Sequence, residues 1–227
     1  MVQPIHALGR QVVACDRCPR LRTWCTRVAK EKRAAYREET YWAKPVPGFG
    51  DPEARIFIVG LAPGAHGANR TGRMFSGDRS GDWLYGAMHR AGLANQPLST
   101  GRDDGLVLEH AYVTNIVRCA PPGNKPTTGE RDACIGYFYE ELRLLEQVRV
   151  LIALGAFAWD GSLRALAGQG HVIKPRPKFG HAAETKLGPY TLIGSYHPSQ
   201  QNTFTGRLTE AMFDRVFTLA KKRAELD

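Results

Sequence analysis

Four cysteines in this chain have the spacing of a metal site. Cys15 and Cys18 form a C-x-x-C near the start, and Cys119 and Cys134 form a second, wider pair. Four thiolates suit zinc or an iron–sulfur cluster. A zinc ribbon more often repeats C-x-x-C, so the wider second spacing favours the cluster. Cys25 is left over in Leu21-Arg-Thr-Trp-Cys25 and reads as an unligated side chain. Away from the cysteines, three further segments hold groups able to bind or polarise a ligand. The first is Gly60-Leu-Ala-Pro-Gly64, continued by His66-Gly-Ala-Asn-Arg-Thr-Gly-Arg-Met-Phe75; the second is Asn115; the third is His197-Pro-Ser-Gln-Gln-Asn202. Gly60 and Gly64 permit a tight turn whose backbone N–H groups can reach a carbonyl or phosphate. Asn115 offers a donor and an acceptor on one amide.

These segments need elements that bring them together. Arg55–Gly60, Ala111–Asn115, Val148–Leu154 and Tyr190–Ser195 read as strands, each an apolar or β-branched run ended by a turn signal. Helical patterns fill the intervals. Asp82–Ala91 is a short helix stopped at Gly92, and Thr127-Thr-Gly-Glu130 opens a helix to about Gln147 with the spacing of a capping box. The last helix is expected to place Leu208, Met212, Val216 and Leu219 on one face, with Lys221, Lys222 and Arg223 near its end. Strands alternating with helices imply an α/β fold: a mostly parallel four-stranded sheet with helices on both faces. Ligands of such sheets collect beyond the carboxyl ends of the strands, and all three polar segments fall there.

Length and charge bound the rest. The chain has 227 residues, 43% of them hydrophobic, which suits a single domain over 1–227 with its first 50 or so residues supplying two of the four cysteines. Neither end carries an apolar run of signal or spanning length, so no membrane is expected and the protein reads as cytoplasmic. Five cysteines in a reducing compartment are not a disulfide set. Thirty-one Lys and Arg against 22 Asp and Glu give a net charge of +9, an excess that suits a polyanion.

Taken in order, the three segments and Thr114-Asn-Ile-Val-Arg-Cys-Ala-Pro-Pro122 resemble the uracil-DNA glycosylase superfamily, and within it the family 5 or B-type enzymes. The likeness runs from about Cys15 to the final helix. It implies a monofunctional DNA repair hydrolase that flips deaminated bases, uracil and also hypoxanthine and xanthine, out of double-stranded DNA. Such an enzyme breaks the N-glycosidic bond and leaves an abasic site. One 4Fe–4S cluster on Cys15, Cys18, Cys119 and Cys134 is implied too, as are a monomer and association with a prokaryotic nucleoid.

The resemblance also implies roles. Phe75 would stack on the extruded base and Asn115 would read its edge, while His197 would hydrogen-bond the uracil O2 as negative charge develops there. Ser199 would grip phosphate, with Gln200, Gln201 and Asn202 as wedge or gap-filling residues. Arg70, Arg73, Arg79 and Arg207 are expected to contact phosphates. Where other branches carry Asp or Asn to activate water, this chain has Ala62, as family 5 does. Water activation is then without an owner, although Asn69 could orient a water. Rival readings are an iron–sulfur nuclease or transferase on a similar sheet, and a non-catalytic nucleic-acid binder with a structural metal.

Overall fold

Apolar runs with no polar face are stable only between two layers, and four such runs form the centre of the fold. The computed structural model describes residues 4–226; residues 1–3 and 227 of the expected domain lie outside the described residues. In chain order the elements begin α1 (Pro4–Val13), α2 (Pro19–Glu31), β1 (Phe49–Gly50), β2 (Ile56–Gly60), α3 (Ala68–Thr71), α4 (Arg79–Arg90) and β3 (Ala111–Asn115). They continue α5 (Thr128–Leu144), β4 (Val150–Leu154), α6 (Ala156–Gly168), β5 (Glu184–Leu187), β6 (Tyr190–Ser195), α7 (Gln200–Phe204) and α8 (Glu210–Arg223).

The sheet runs β1-β3-β2-β4-β6-β5. Its four inner strands are parallel and are the four read from sequence. The expected four-stranded sheet is therefore extended by two short antiparallel edges, β1 on β3 and β5 on β6. Neither edge has an apolar run to announce it: β1 is two residues ending in glycine, and β5 is mostly polar and solvent-facing. Register levels the strand ends, with Gly60 opposite Asn115 and Leu154 opposite Ser195.

Side chains alternate between two cores. Phe57, Val59, Leu151, Ala153 and Leu192 meet Ile5, Leu8, Val12 and Leu21 of α1 and α2 and Phe138 of α5. Ile56, Ile58, Val150, Ile152 and Ile193 meet Leu84 and Met88 of α4 and Phe213, Val216 and Phe217 of α8.

Helix ends follow their caps. Thr127 and Glu130 close the expected capping box, and α5 ends at Leu144 rather than near Gln147. α4 starts three residues earlier than expected because the Asp78 side chain accepts from Gly81 N. In α8 the expected face meets the core: Leu208, just before the Thr209 cap, and Val216 are buried, Met212 and Leu219 pack partly buried against the same core, and Phe213, Phe217 and Ala220 complete the buried stripe. No helix among the described residues is long and apolar enough to cross a membrane.

Candidate active site

The levelled strand ends open into a cavity of about 460 Å³. Leu61, Ala62, Pro63 and Gly64 line it from the loop after β2, Asn115 from the end of β3, and His197, Ser199 and Gln201 from the segment after β6. Phe75, Asp78 and Ser80 complete one wall, and Asn124 another. All three polar segments thus converge as the strand order requires.

Phe75 is buried at the cavity with a backbone φ of +53°, a conformation held by its surroundings. Its ring centre lies 5.9 Å from that of His197. Gly60 does not line the cavity, but it lets its walls meet. A Cβ there would lie 2.2 Å from Asn115 Oδ1 and 2.5 Å from the Phe75 ring, so only glycine permits this approach.

Asn115 is buried, and its Nδ2 donates to Met74 Sδ at 2.9 Å. A thioether accepts and cannot donate, which places the amide nitrogen on the sulfur and turns the oxygen toward Gly60 at the end of β2. That oxygen has no partner. A buried acceptor left unpaired costs about 1–3 kcal/mol, and a ligand N–H would recover it. Met74 is itself fixed, its carbonyl accepting from Tyr85 Oη at 2.6 Å.

His197 is partly exposed to solvent yet enclosed by protein on most sides, and this desolvation pushes its imidazole down to about 4. At neutral pH the ring is uncharged and carries one N–H. The Asn202 side chain anchors the segment by donating to His197 O at 2.8 Å.

Asp78 is a cavity-lining residue that the sequence reading missed. It is the one carboxylate lining the cavity among the described residues. One oxygen caps α4, accepting from Gly81 N at 3.1 Å. The other sits against the loop after β2, where a Cβ on Gly67 would lie 2.0 Å from it and one on Gly64 2.7 Å. Burial raises its pKa above the ordinary carboxylate value, opposed by the backbone donors of Gly81 and Ser80. The signal in the sequence was an aspartate one turn before the expected helix, a favoured N-cap.

Several expected site residues are placed elsewhere. Asn69 does not line the cavity. It is buried beneath the loop, with Nδ2 near Ala65 O at 3.3 Å and Cys25 O at 3.4 Å, so the role given to it in orienting water is corrected to a structural one. Arg70 and Arg73 are not surface phosphate contacts either. Arg70 is buried, bonded to His66 O and Gly77 O, paired with Glu39 and stacked on Tyr36. Arg73 is buried in an ion pair with Asp104 at 2.8 Å and covers Phe49. Their charges are used inside the protein because the loop that contains them packs onto the sheet. Gln200 and Arg207 are exposed, and Arg207 stacks 4.7 Å from the Tyr196 ring centre.

In the segment after β3 and the elements around it, Cys15, Cys18, Cys119 and Cys134 line one pocket between α1, α2 and the start of α5, and Cys25 does not. Among the described residues no group of three or more His, Cys, Asp or Glu is set to hold a metal ion. Burial pushes the Cys134 thiol up to about 12 and also raises that of Cys18. Cys134 Sγ accepts from Arg118 N at 3.3 Å. Arg22 lines the same pocket, and its Nη1 is buried without a partner. Behind them Arg118 and Glu141 form a buried ion pair at 2.6 Å.

The family model described as Uracil DNA glycosylase superfamily matches residues 47–221. The chain is 53% identical to the Type-5 uracil-DNA glycosylase of Mycobacterium leprae over 97% of its own length and 96% of that protein's. It is 52% identical to the Thermus thermophilus protein of the same name over 97% and 99%. The corresponding Pyrobaculum aerophilum protein is 42% identical over 96% and 90%.

Proposed function

Since this chain belongs to the uracil DNA glycosylase superfamily, we propose that it is a uracil-DNA glycosylase that hydrolyses the N-glycosidic bond of deaminated bases in double-stranded DNA. The observation that carries this reading is the convergence of Phe75, Asn115 and His197 on one cavity, with the Asn115 oxygen unpaired.

The chemistry follows from these groups. A base must leave the stack to react, and Phe75 offers it a ring to lie against. Asn115 Oδ1 accepts a ring N–H. Deamination creates that donor: the N3 of cytosine and the N1 of adenine are acceptors, whereas uracil N3 and hypoxanthine N1 carry hydrogen. One unpaired oxygen therefore supports acceptance of hypoxanthine as well as uracil; xanthine offers the same N1–H, although guanine carries it too. Neutral His197 donates to the base oxygen, and its hydrogen bond strengthens as electrons from the breaking C–N bond collect there. The sugar is left cationic. Asp78, whose raised pKa suits proton transfer, accepts a proton from the water that adds to the sugar carbon. Ala62 leaves room for that water and contributes no charge.

The four cysteines that share a pocket support one 4Fe–4S cluster. What supports this reading is that all four cysteines of the expected set, and not Cys25, line the same pocket. The unpaired Arg22 Nη1 and the Arg118 N–H suit the negative charge of thiolate-bound iron. When bound, the cluster would tie the α1–α2 segment to β3 and α5, away from the reacting bond.

The test is product analysis on duplexes containing uracil, hypoxanthine or xanthine. Free base and a strand intact until treated with alkali support the reading; direct strand cleavage, or no release from any of them, would refute it.

A further inference from the structure

A groove of about 460 Å³ lies along the flank of the sheet. Ile5, Gly9 and Arg10 of α1 form one wall, and Pro47, Phe49 and Gly50 of the β1 segment form another. Trp42, Arg102 and Tyr112 complete it, and none of these residues lines the cavity at the strand ends.

The first feature that points to a ligand is an open backbone edge. β1 is the outermost strand on its side of the sheet and pairs with β3 alone. In an antiparallel pair, alternate residues turn their N–H and C=O toward the neighbouring strand. Asp51 N donates to Ala111 O at 2.9 Å, and Phe49 stands opposite Val113. Phe49 and Asp51 therefore face β3, and Gly50 between them turns its N–H and C=O outward, where they meet no other backbone partner among the described residues. Gly50 has a φ of +146°, and a Cβ there would lie 2.3 Å from Ala111 O. This position admits only glycine, so no side chain shields the edge.

The second feature is charge. Arg10 and Arg102 are exposed, and no Asp or Glu lines the groove. Neither arginine joins an ion pair among the described residues, unlike the buried Arg70 and Arg73. Between these cations the walls are apolar. The one donor of the Trp42 ring is already used on Pro45 O at 3.1 Å.

We propose that this groove takes an extended acidic peptide segment of a partner protein, added as a strand outside Gly50, with an apolar side chain against Pro47 and Phe49 and carboxylates against Arg10 and Arg102. Strand addition draws affinity from the main chain and selectivity from the alternate side chains. Single-stranded nucleic acid fits less well, because it needs aromatic faces on which to stack its bases. Here the rings are engaged: Arg102 lies 4.5 Å from the Trp42 ring centre, Arg73 lies 4.2 Å from that of Phe49, and Tyr112 stacks on Phe57. A second copy of this chain, with a net charge of +9, lacks the acidic excess that the rim calls for. The inference does not depend on the glycosylase reading.

The experiment uses the whole protein and a displayed library of random dodecapeptides. Selection on the parent should enrich sequences with net negative charge and an aromatic or branched aliphatic residue, and selection on the double variant Arg10→Glu/Arg102→Glu should not. A labelled copy of the most enriched peptide, followed by anisotropy, should bind the double variant at least about tenfold more weakly than the parent. Arg10→Gln/Arg102→Gln should lie between the two, and added salt should weaken binding to the parent. Amide exchange at Gly50 should slow when the peptide binds. The proposal is overturned if nothing is enriched, if parent and double variant enrich the same peptides, if the selected set has no acidic excess, or if exchange at Gly50 is unchanged. Oligothymidine that displaces the bound peptide would assign the groove to nucleic acid, and a dimer in sedimentation that the double variant loses would assign it to a second copy; either result also overturns the proposal. Thermal melting checks that both double variants keep the parent fold, as substitution of exposed side chains should allow.

Discussion

Asn115 Nδ2 donates to Met74 Sδ at 2.9 Å, and this contact decides which end of the amide meets a ligand. Its oxygen, buried and unpaired, waits for an N–H that uracil has and cytosine lacks. Asn115→Leu should therefore lower uracil excision between about fivefold and 150-fold, the range for about 1–3 kcal/mol of unpaired N–H. Binding to undamaged duplex should stay as it was. Met74→Leu removes the acceptor that orients the amide and should cost less, with its loss seen in discrimination between uracil and cytosine. Undiminished excision by Asn115→Leu in single-turnover kinetics would show that the base is read elsewhere.

His197→Ala should damage the chemical step most while sparing affinity for uncleaved DNA. Removing one donor to a developing anion costs about 10²–10³-fold in turnover. A loss that appears in KM and not in kcat would assign the histidine to binding instead.

The same histidine should leave a mark on stability. Its pKa in the folded protein, about 4, lies below the 6.5 of an unperturbed imidazole, so the unfolded chain binds the extra proton first. Its contribution to stability is intact above about 6.5 and is lost as pH falls toward about 4. Denaturant titrations of the parent and of His197→Asn over that window should converge in slope if another group is responsible. A shallower acid loss in the variant, on the order of 3 kcal/mol at the low end, is the expected outcome.

Asp78→Asn should retain the cap on α4, because asparagine caps as well as aspartate, and lose the proton acceptor. We expect a drop of about 10²–10⁴-fold with the melting temperature nearly unchanged. In the parent, single-turnover rate should rise with pH through the raised Asp78 pKa, since only the ionised carboxylate accepts a proton. That limb should vanish in the variant. Should it persist, another group titrates.

The buried and exposed arginines should separate cleanly. Arg73→Ala breaks a buried ion pair with Asp104 and should cost about 3–5 kcal/mol of stability, read in denaturant melts. Arg207→Ala should leave stability alone, weaken all DNA alike and reduce the salt slope of binding by about one.

Purified without oxygen, the protein should be brown and contain iron. Cys119→Ala should bleach and destabilise it, and Cys25→Ala should keep the colour, since Cys25 lies outside the pocket that the other four line. Stoichiometric zinc without iron would refute the cluster.

The sequence by itself determined the four inner strands, the alternation with helices and the three loops at the strand ends, because burial on two faces forces apolar runs and loops take the polar remainder. Thr127 and Glu130 announced their cap by spacing alone. Strands β1 and β5 were silent, being held by a neighbour's open edge and not by their own pattern. Phe75, Asn115 and His197 were legible because their types and the turns before them carry the chemistry. What the sequence could not say was which polar groups would still be free after folding. Arg70 and Arg73 read as surface charge, but the loop bearing them folds inward onto Glu39 and Asp104. Asn69 went under the loop with them, while Asp78, which the sequence did not single out, lies in the cavity wall. Only the tertiary structure decided those exchanges, because a short polar side chain caps, braces or reacts according to which way its backbone is turned.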